Sequence, residues 1–500
     1  MSTPPSAAAI GTAPVQTGNL KRNALGTAGM VFLVVSAAAP LTVMAGVAPL
    51  AVLIGGTGAP AAYLAAGLVL SLFAVGFMSM TKYVRATGGF YSYISKALGP
   101  SAGLASAIIA VVSYNALQIG LYGLLGQQAA AMLSAVFGIE TPWWVPALVG
   151  IGLVWALGYR GVDVGAKVLG ILLAAETLIL LVLAIAVVVQ GGATGLSAPD
   201  FSPEGLFNPG MGAILGFALA AFMGFESTTL YREEARDPNR TIPKATYISV
   251  IFMALFYAFI LWAVIQAFGN EGVVAAAAED PAGLFFSAIR TYVGPWAETA
   301  MFIMMVTSVY AAQLAFHNAI NRYTLTLARD GVLPPVLGRI HPTLASPYMA
   351  GGGQTILALV VVVVFAVMGA DPYLQLVLWV NGPGAIGIIA LQCIASIAVA
   401  AFFLRHPQLQ RKWYVVPSAV ISAVAMFAAV CLLYSTIEQQ TMGGPTVNAI
   451  VLSIVPASAL VGLGLALYIR TRNPHIWSRI VDREVVDGAE RSPDHAGTAG

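Results

Sequence analysis

Long stretches of this chain pass without a charged side chain, and no other feature so narrows what it can fold into. A helix needs about 20 mostly apolar residues to cross roughly 30 Å of hydrocarbon. Runs of that kind lie at about 27–52, 58–80, 103–136, 143–158, 164–190, 209–231, 246–268, 297–326, 350–369, 375–401, 414–436 and 449–470. That makes twelve, the fourth of them short. A β-barrel is excluded because the runs are continuously apolar and lack the alternation that a strand between lipid and lumen requires. The expected fold class is an all-α membrane protein with twelve transmembrane helices.

Composition agrees. The 500 residues are 59% hydrophobic and 9% charged, with a mean hydropathy of +0.85, whereas about a quarter of the residues of a soluble domain are charged. Net charge is only +2 and the basic residues form no aromatic-interleaved stripe, which argues against a nucleic-acid partner. Cys393 and Cys431 both lie in apolar runs and offer neither a disulfide framework nor a zinc spacing; both are expected to be small core residues. Residues 1–20 are small, polar and Pro-containing and read as a disordered cytosolic tail, with a second polar tail at 471–500 and one transporter-sized unit, 21–470, between them.

Orientation follows from the basic residues. With the N-terminus in the cytosol, all of the 23 Lys and Arg except Arg290 fall in cytosolic segments. An asymmetry of that size sets the topology, with both termini cytosolic and an even number of spans.

Two spans look broken. In "GMVFLVVSAAAPLTVMAGVAPL", Pro40 lies mid-run; proline removes a helical hydrogen bond and pushes the preceding residue, Ala39, towards an extended conformation. Pro40 is therefore expected to open a new half-helix, leaving the amides of Leu41, Thr42 and Val43 facing the gap at the positive end of the dipole. A simple proline kink is the alternative. In the sixth span, "LAAFMGFESTTLY", Gly224 weakens the helix while Ser227 and Thr228 are suited to capping a restart. Interrupted spans five apart are the pattern of transporters built from inverted repeats, with the binding site near the bilayer midplane between the breaks.

"FMGFES", followed by "REEARDPNRTIPKA", resembles the sixth-span signature of the amino acid–polyamine–organocation (APC) transporter family. "RATGGFYSYISKALGP" at 85–100 resembles that family's loop between spans two and three, and "RYTLTLARDGVLPPVLGRIHP" at 322–342 the loop after span eight. The resemblance covers nearly the whole chain between the tails. It implies a five-plus-five inverted repeat with discontinuous helices 1 and 6 and two additional C-terminal helices, working by alternating access, with no cofactor. It also implies a substrate held at the breaks: Ser36, Ala37, Ala38, Ala39, Leu41 and Thr42 in the first, and Phe222, Gly224, Phe225, Glu226 and Ser227 in the second. One departure is that many amino-acid members carry a glycine-serine-glycine type of break where this chain has "SAAAP"; the bulkier break looks closer to members that handle amines and polyamines.

An ionisable side chain within a span costs about 2.5 to 3.5 kcal/mol on insertion scales and so invites a functional hypothesis. Glu176 stands in "GILLAAETLILLVL" with at least six uncharged residues on each side. By resemblance, fifteen residues on from Gly161 of "RGVDVGAK", it occupies the fifth-span position where some proton-coupled members carry lysine. A buried carboxyl favours its neutral form, which suits a group that takes up a proton on one side and releases it on the other; the alternative is a structural hydrogen bond to broken backbone. Glu226 either receives a cationic amine or accepts from loose amides of the restarted helix, the second being the stronger expectation. Arg232 to Lys244 reads as solvated cytosolic charge, although salt bridges there would latch an inward gate. Phe222 and Phe225 are candidate lids over a substrate. Asn115 and Gln118 in span three and Asn381 in span ten are candidate cavity groups, and His317, beside Asn318 and Asn321, is expected to be a satisfied helix-end histidine.

The expected function is import of amino acids or related amines across the cell membrane, with protons as the coupling ion. Sodium is the runner-up: Thr307 and Ser308 are adjacent hydroxyls of the kind that ligate Na⁺ in related folds. Substrate exchange and polyamine import are further alternatives, and a substrate-sensing receptor is a third class. An enzyme is disfavoured, since the chain has no His-Glu-x-x-His, nucleophile elbow or metal cluster.

Overall fold

The computed structural model describes residues 25–84, 89–160, 166–198, 210–232, 235–344, 346–409, 412–478 and 480. The proposed N-terminal tail and most of the C-terminal one lie outside these residues. No strand occurs among them; one isolated bridge joins Leu25 to Ala235 and holds the entry to the first helix against the segment that follows the sixth run.

The helices in chain order are α1 (Thr27–Ala38), α2 (Pro40–Gly46), α3 (Ala48–Gly55), α4 (Ala59–Met80), α5 (Phe90–Leu98), α6 (Pro100–Phe137), α7 (Trp144–Tyr159), α8 (Ala166–Gln190) and α9 (Met211–Ala220). They continue as α10 (Pro238–Phe268), α11 (Val273–Glu279), α12 (Leu284–Tyr292), α13 (Pro295–Arg329), α14 (Tyr348–Val367), α15 (Gly382–Arg405), α16 (Val415–Ser435), α17 (Ile437–Thr441) and α18 (Pro445–Arg472). Proline stands at the first helical position of α2, α6, α10, α13 and α18, where its missing N–H would have had no partner anyway.

Among the described residues, 10 helical stretches are long and apolar enough to cross a membrane. Two of the twelve expected runs fall short. α7 has 16 residues and α9 has 10, or about 24 and 15 Å of helix at 1.5 Å per residue. α9 reaches only about halfway, because its run leaves helical geometry at Ala221. Two segments read as loops are partly helical as well: 90–98 is α5, and 322–329 is the last two turns of α13.

Outward-facing positions such as Val149, Leu153, Ile171, Leu178, Ile185 and Val189 are exposed, as a surface bathed in hydrocarbon requires. Inside, small residues let helices approach. A Cβ built on Gly67 would fall 2.3 Å from that of Ala254, so α4 and α10 meet nearly backbone to backbone. Cys393 is buried, but Cys431 is exposed, which corrects the expectation that both are core residues: it falls on the outward face of α16.

Candidate functional site

The first break is one residue wide. α1 ends at Ala38, Ala39 takes a left-handed conformation (φ 45°, ψ 81°), and α2 begins at Pro40. An alanine held there costs about 1–2 kcal/mol, a strain that persists only where the surroundings enforce it. The amides freed by the break do not face an open gap, contrary to expectation. The Leu41 amide faces the Glu176 carboxyl, Thr42 donates its amide to Ser308 Oγ at 3.3 Å, and Val43 is already helical, bonded to Ala39 O at 3.0 Å. The Ser308 hydroxyl donates to Glu176 Oε2 at 2.8 Å, which makes Thr42 Oγ1 the donor in its 2.9 Å contact with Ser308 Oγ. Glu176, Ser308 and Thr42 are 4%, 0% and 3% exposed, so the acid identified from sequence stands beside the start of α2 inside the protein. Ser308, on α13, faces the same point while its neighbour Thr307 bonds back to Met304 O; of the two hydroxyls only Ser308 reaches the break.

The second break is longer. From Ala221 the backbone turns, Gly224 sits at φ 111°, and a 3₁₀ segment runs from Phe225 to Tyr231. Glycine is needed at Gly224, since an L side chain rarely adopts that φ. Glu226 fixes the turn: its Oε2 accepts from the Gly224 amide at 3.1 Å and its Oε1 from the Tyr114 hydroxyl at 2.7 Å. The hydroxyl at 228 does not cap the restart, because Thr228 Oγ1 bonds back to Phe225 O. The Ser227 and Ala37 side chains lie outside the described part.

Between the breaks is a cavity of ≈ 100 Å³. Of the residues expected to bind substrate, Ala38, Thr42 and Asn381 line it, whereas Ser36, Ala39, Leu41, Asn115, Phe222, Gly224, Phe225 and Glu226 do not. The wall around them is apolar, with Val43, Leu117, Leu121, Phe217, Met223 and Phe316 contributing, and Gln440 is a further polar member. Sequence reasoning missed this wall, since an apolar residue in an apolar span carries no mark of facing a cavity. Gln440, beyond the eleventh run, carried no signal either.

Phe222 and Phe225 do not line this cavity. The turn at 221–224 points Ala221 and Met223 to the cavity and turns the flanking rings away from it into buried packing. Phe222 packs edge-on to Tyr257 at 5.8 Å and Phe225 to Phe73 at 5.9 Å. Asn115 bonds back to Val111 O. Gln118 exchanges side-chain-to-backbone bonds with Gln313 and accepts from Gln354, tying α6, α13 and α14 together. His317 is not satisfied as expected: Nε2 has no hydrogen-bond partner among the described residues, and its ring packs against Gly158 and Gly351. Ser36 Oγ is likewise buried without a partner among the described residues.

A family model described as amino acid permease matches residues 25–457. The chain belongs to the amino acid permease family. This permease is 26% identical over 429 residues to an uncharacterized transporter of Mycobacterium tuberculosis, covering 82% of this chain and 85% of the relative. It is 24% identical over 404 residues to the branched-chain amino acid permease BcaP of Bacillus subtilis, covering 76% of this chain and 80% of the relative. The family and its many apolar helices make the permease a multi-pass membrane transporter, not an enzyme, with a small-molecule substrate.

Proposed function

We propose that this permease imports a small amino acid across the cell membrane by alternating access, coupled to protons through Glu176. In this reading the chain crosses the bilayer twelve times with both termini in the cytosol, α7 and the α9 segment supply the fourth and sixth crossings, and an inverted five-helix repeat pairs the broken first and sixth spans. The observation that carries it is the position of Glu176. Its carboxyl accepts from Ser308 on α13 and faces the Leu41 amide at the start of α2, so gain or loss of a proton there changes the contact between two elements beside the cavity.

The lining supports a substrate with an apolar side chain. No aspartate or glutamate among the described residues lines the cavity, which favours a zwitterion over a polyamine despite the "SAAAP" break, and the Bacillus subtilis relative is named for branched-chain amino acids. The test is uptake of radiolabelled leucine into proteoliposomes under an imposed pH gradient, with and without sodium. Acid outside should drive accumulation, and Glu176→Gln should abolish that drive while leaving substrate counterflow intact. Proton coupling unchanged in Glu176→Gln would remove Glu176 from the mechanism. Competition by putrescine but not by valine or isoleucine would overturn the substrate class.

A second reading is sodium coupling, favoured by the convergence of Thr42 Oγ1, Ser308 Oγ and Glu176 Oε2, three oxygens of the kind a hard cation takes. Uptake that requires sodium at equal pH on both sides would select it.

A further inference from the structure

The cavity between the breaks has a far end that neither break supplies. Along α2 and α3 its wall runs from Thr42 to Leu50, and along α9 from Ala221 back to Gly216. Leu433 and Gln440 join the wall there: a Cβ built on Gly216 would fall 2.1 Å from Leu433 Cδ2, so α9 meets the end of α16. Gln440 lies on α17, beyond the eleventh run, and so stands outside the ten helices of the proposed inverted repeat.

The carboxamide of Gln440 is held in one orientation. Its Nε2 donates to Leu433 O at 2.8 Å and to Thr436 Oγ1 at 3.1 Å. A carbonyl oxygen only accepts, so the contact with Leu433 fixes which end of the group is nitrogen, and the two contacts use both of its N–H donors. Oε1 is left as an acceptor; no described residue donates to it, and it is not shut away in the core. α17 is itself anchored. The Trp379 indole N–H donates to Thr441 O at 3.0 Å, and the Thr441 hydroxyl donates to Asn448 Oδ1 on α18. Trp379 belongs to the π-helical segment Pro372–Asn381, whose last residue also lines the cavity. Gln440 is therefore a preorganised group and not the tip of a loose loop.

The far end is otherwise apolar, with Leu50, Phe217 and Leu433 around it. A ligand that brings an N–H to Oε1 gains a hydrogen bond, and one that brings only carbon leaves the oxygen unpaired; a site of that kind discriminates between substrates of similar size. We propose that Gln440 determines specificity by accepting, at Oε1, a hydrogen bond from an N–H of the bound amino acid. The inference rests on the reading that this cavity holds an amino acid, and it adds a contact from a segment outside both breaks.

The test is calorimetric titration of the full chain in neutral detergent with leucine, norleucine, glutamine, lysine and putrescine, at one pH so that proton coupling does not enter. In Gln440→Met, which keeps the length and loses the oxygen, Kd should rise at least about tenfold for compounds that the parent binds. Gln439→Met, at an exposed neighbour that does not line the cavity, should leave Kd unchanged. Gln440→Glu places a carboxylate at the same point and should raise the preference for lysine over norleucine at least about tenfold, whereas a merely structural role would weaken both alike. A rise across the amino acids in Gln440→Met puts the donor on the amino group; a rise confined to glutamine and lysine puts it on the side chain. Unchanged Kd in Gln440→Met, or an unchanged ratio of lysine to norleucine in Gln440→Glu, would overturn the inference. Failure of the parent to bind any of the amino acids overturns instead the reading beneath it, and the inference falls with that reading. Should Gln440→Met be poorly folded, Gln440→Glu decides by its ratio.

Discussion

Glu176 and Ser308 stand 132 positions apart in the chain, yet the hydroxyl of one donates to the carboxyl of the other at 2.8 Å. Ser308 also receives the amide and the hydroxyl of Thr42, so a single oxygen links the fifth run, the eighth run and the break in the first.

Ser308→Ala should therefore be costly. It leaves the Thr42 amide and hydroxyl without their acceptor and the carboxyl short of one donor, in a site closed to bulk water. A buried polar group left unsatisfied costs about 1–3 kcal/mol, so Tm should fall by several degrees. Ser308→Thr, which keeps the hydroxyl, should recover part of it; equal Tm for Ser308→Ala and the parent would deny the link.

At the second break, Glu226 is bonded to the turn it stabilises. Tyr114→Phe removes one hydrogen bond to a carboxyl, worth about 1.5–3 kcal/mol if the group is ionised. The expected result is a lower Tm with little change in KM for transport. A large rise in KM at unchanged Tm would instead make Glu226 a substrate group.

The two left-handed residues should respond in opposite directions. Gly224→Ala forces a side chain onto φ 111° and should destabilise by about 1–3 kcal/mol. Ala39→Gly relieves the strain at φ 45° against the entropy that glycine loses on folding, for a net gain of up to about 1 kcal/mol. Melting curves of the two variants should move to opposite sides of the parent. Movement of both downwards would contradict the strain assigned to Ala39.

Tyr63 and Tyr257 are buried with hydroxyls that have no hydrogen-bond partner among the described residues, and their rings meet edge-on at 6.1 Å. Phenylalanine keeps the ring contact and removes an unsatisfied polar atom, a change that is neutral or stabilising. Tyr63→Phe and Tyr257→Phe should each melt at or above the parent temperature. A drop of more than about 1 kcal/mol would reveal a bonded partner for the hydroxyl.

The helical membrane character was legible because every apolar run of bilayer length must satisfy its own backbone, and that constraint is local in sequence. So were the candidate places where the helix fails, Pro40 and Gly224, although Pro243 and Pro456 remain inside continuous helices, so the residue type marks where a break can form and its surroundings decide that it does. Glu176 stood out because a lone carboxyl in an apolar run is expensive wherever that run packs. Only the tertiary structure decided what filled the breaks. The amide of Thr42 looks vacant from sequence, yet it is taken by a hydroxyl from a distant helix, since buried N–H groups are paired with whatever acceptor packing brings near. It also decided the cavity wall, turning Met223 inward and Phe222 and Phe225 away. The side chains of an apolar span are interchangeable to hydrophobicity, and only the direction of the backbone at a turn separates those that line a cavity from those that fill the core.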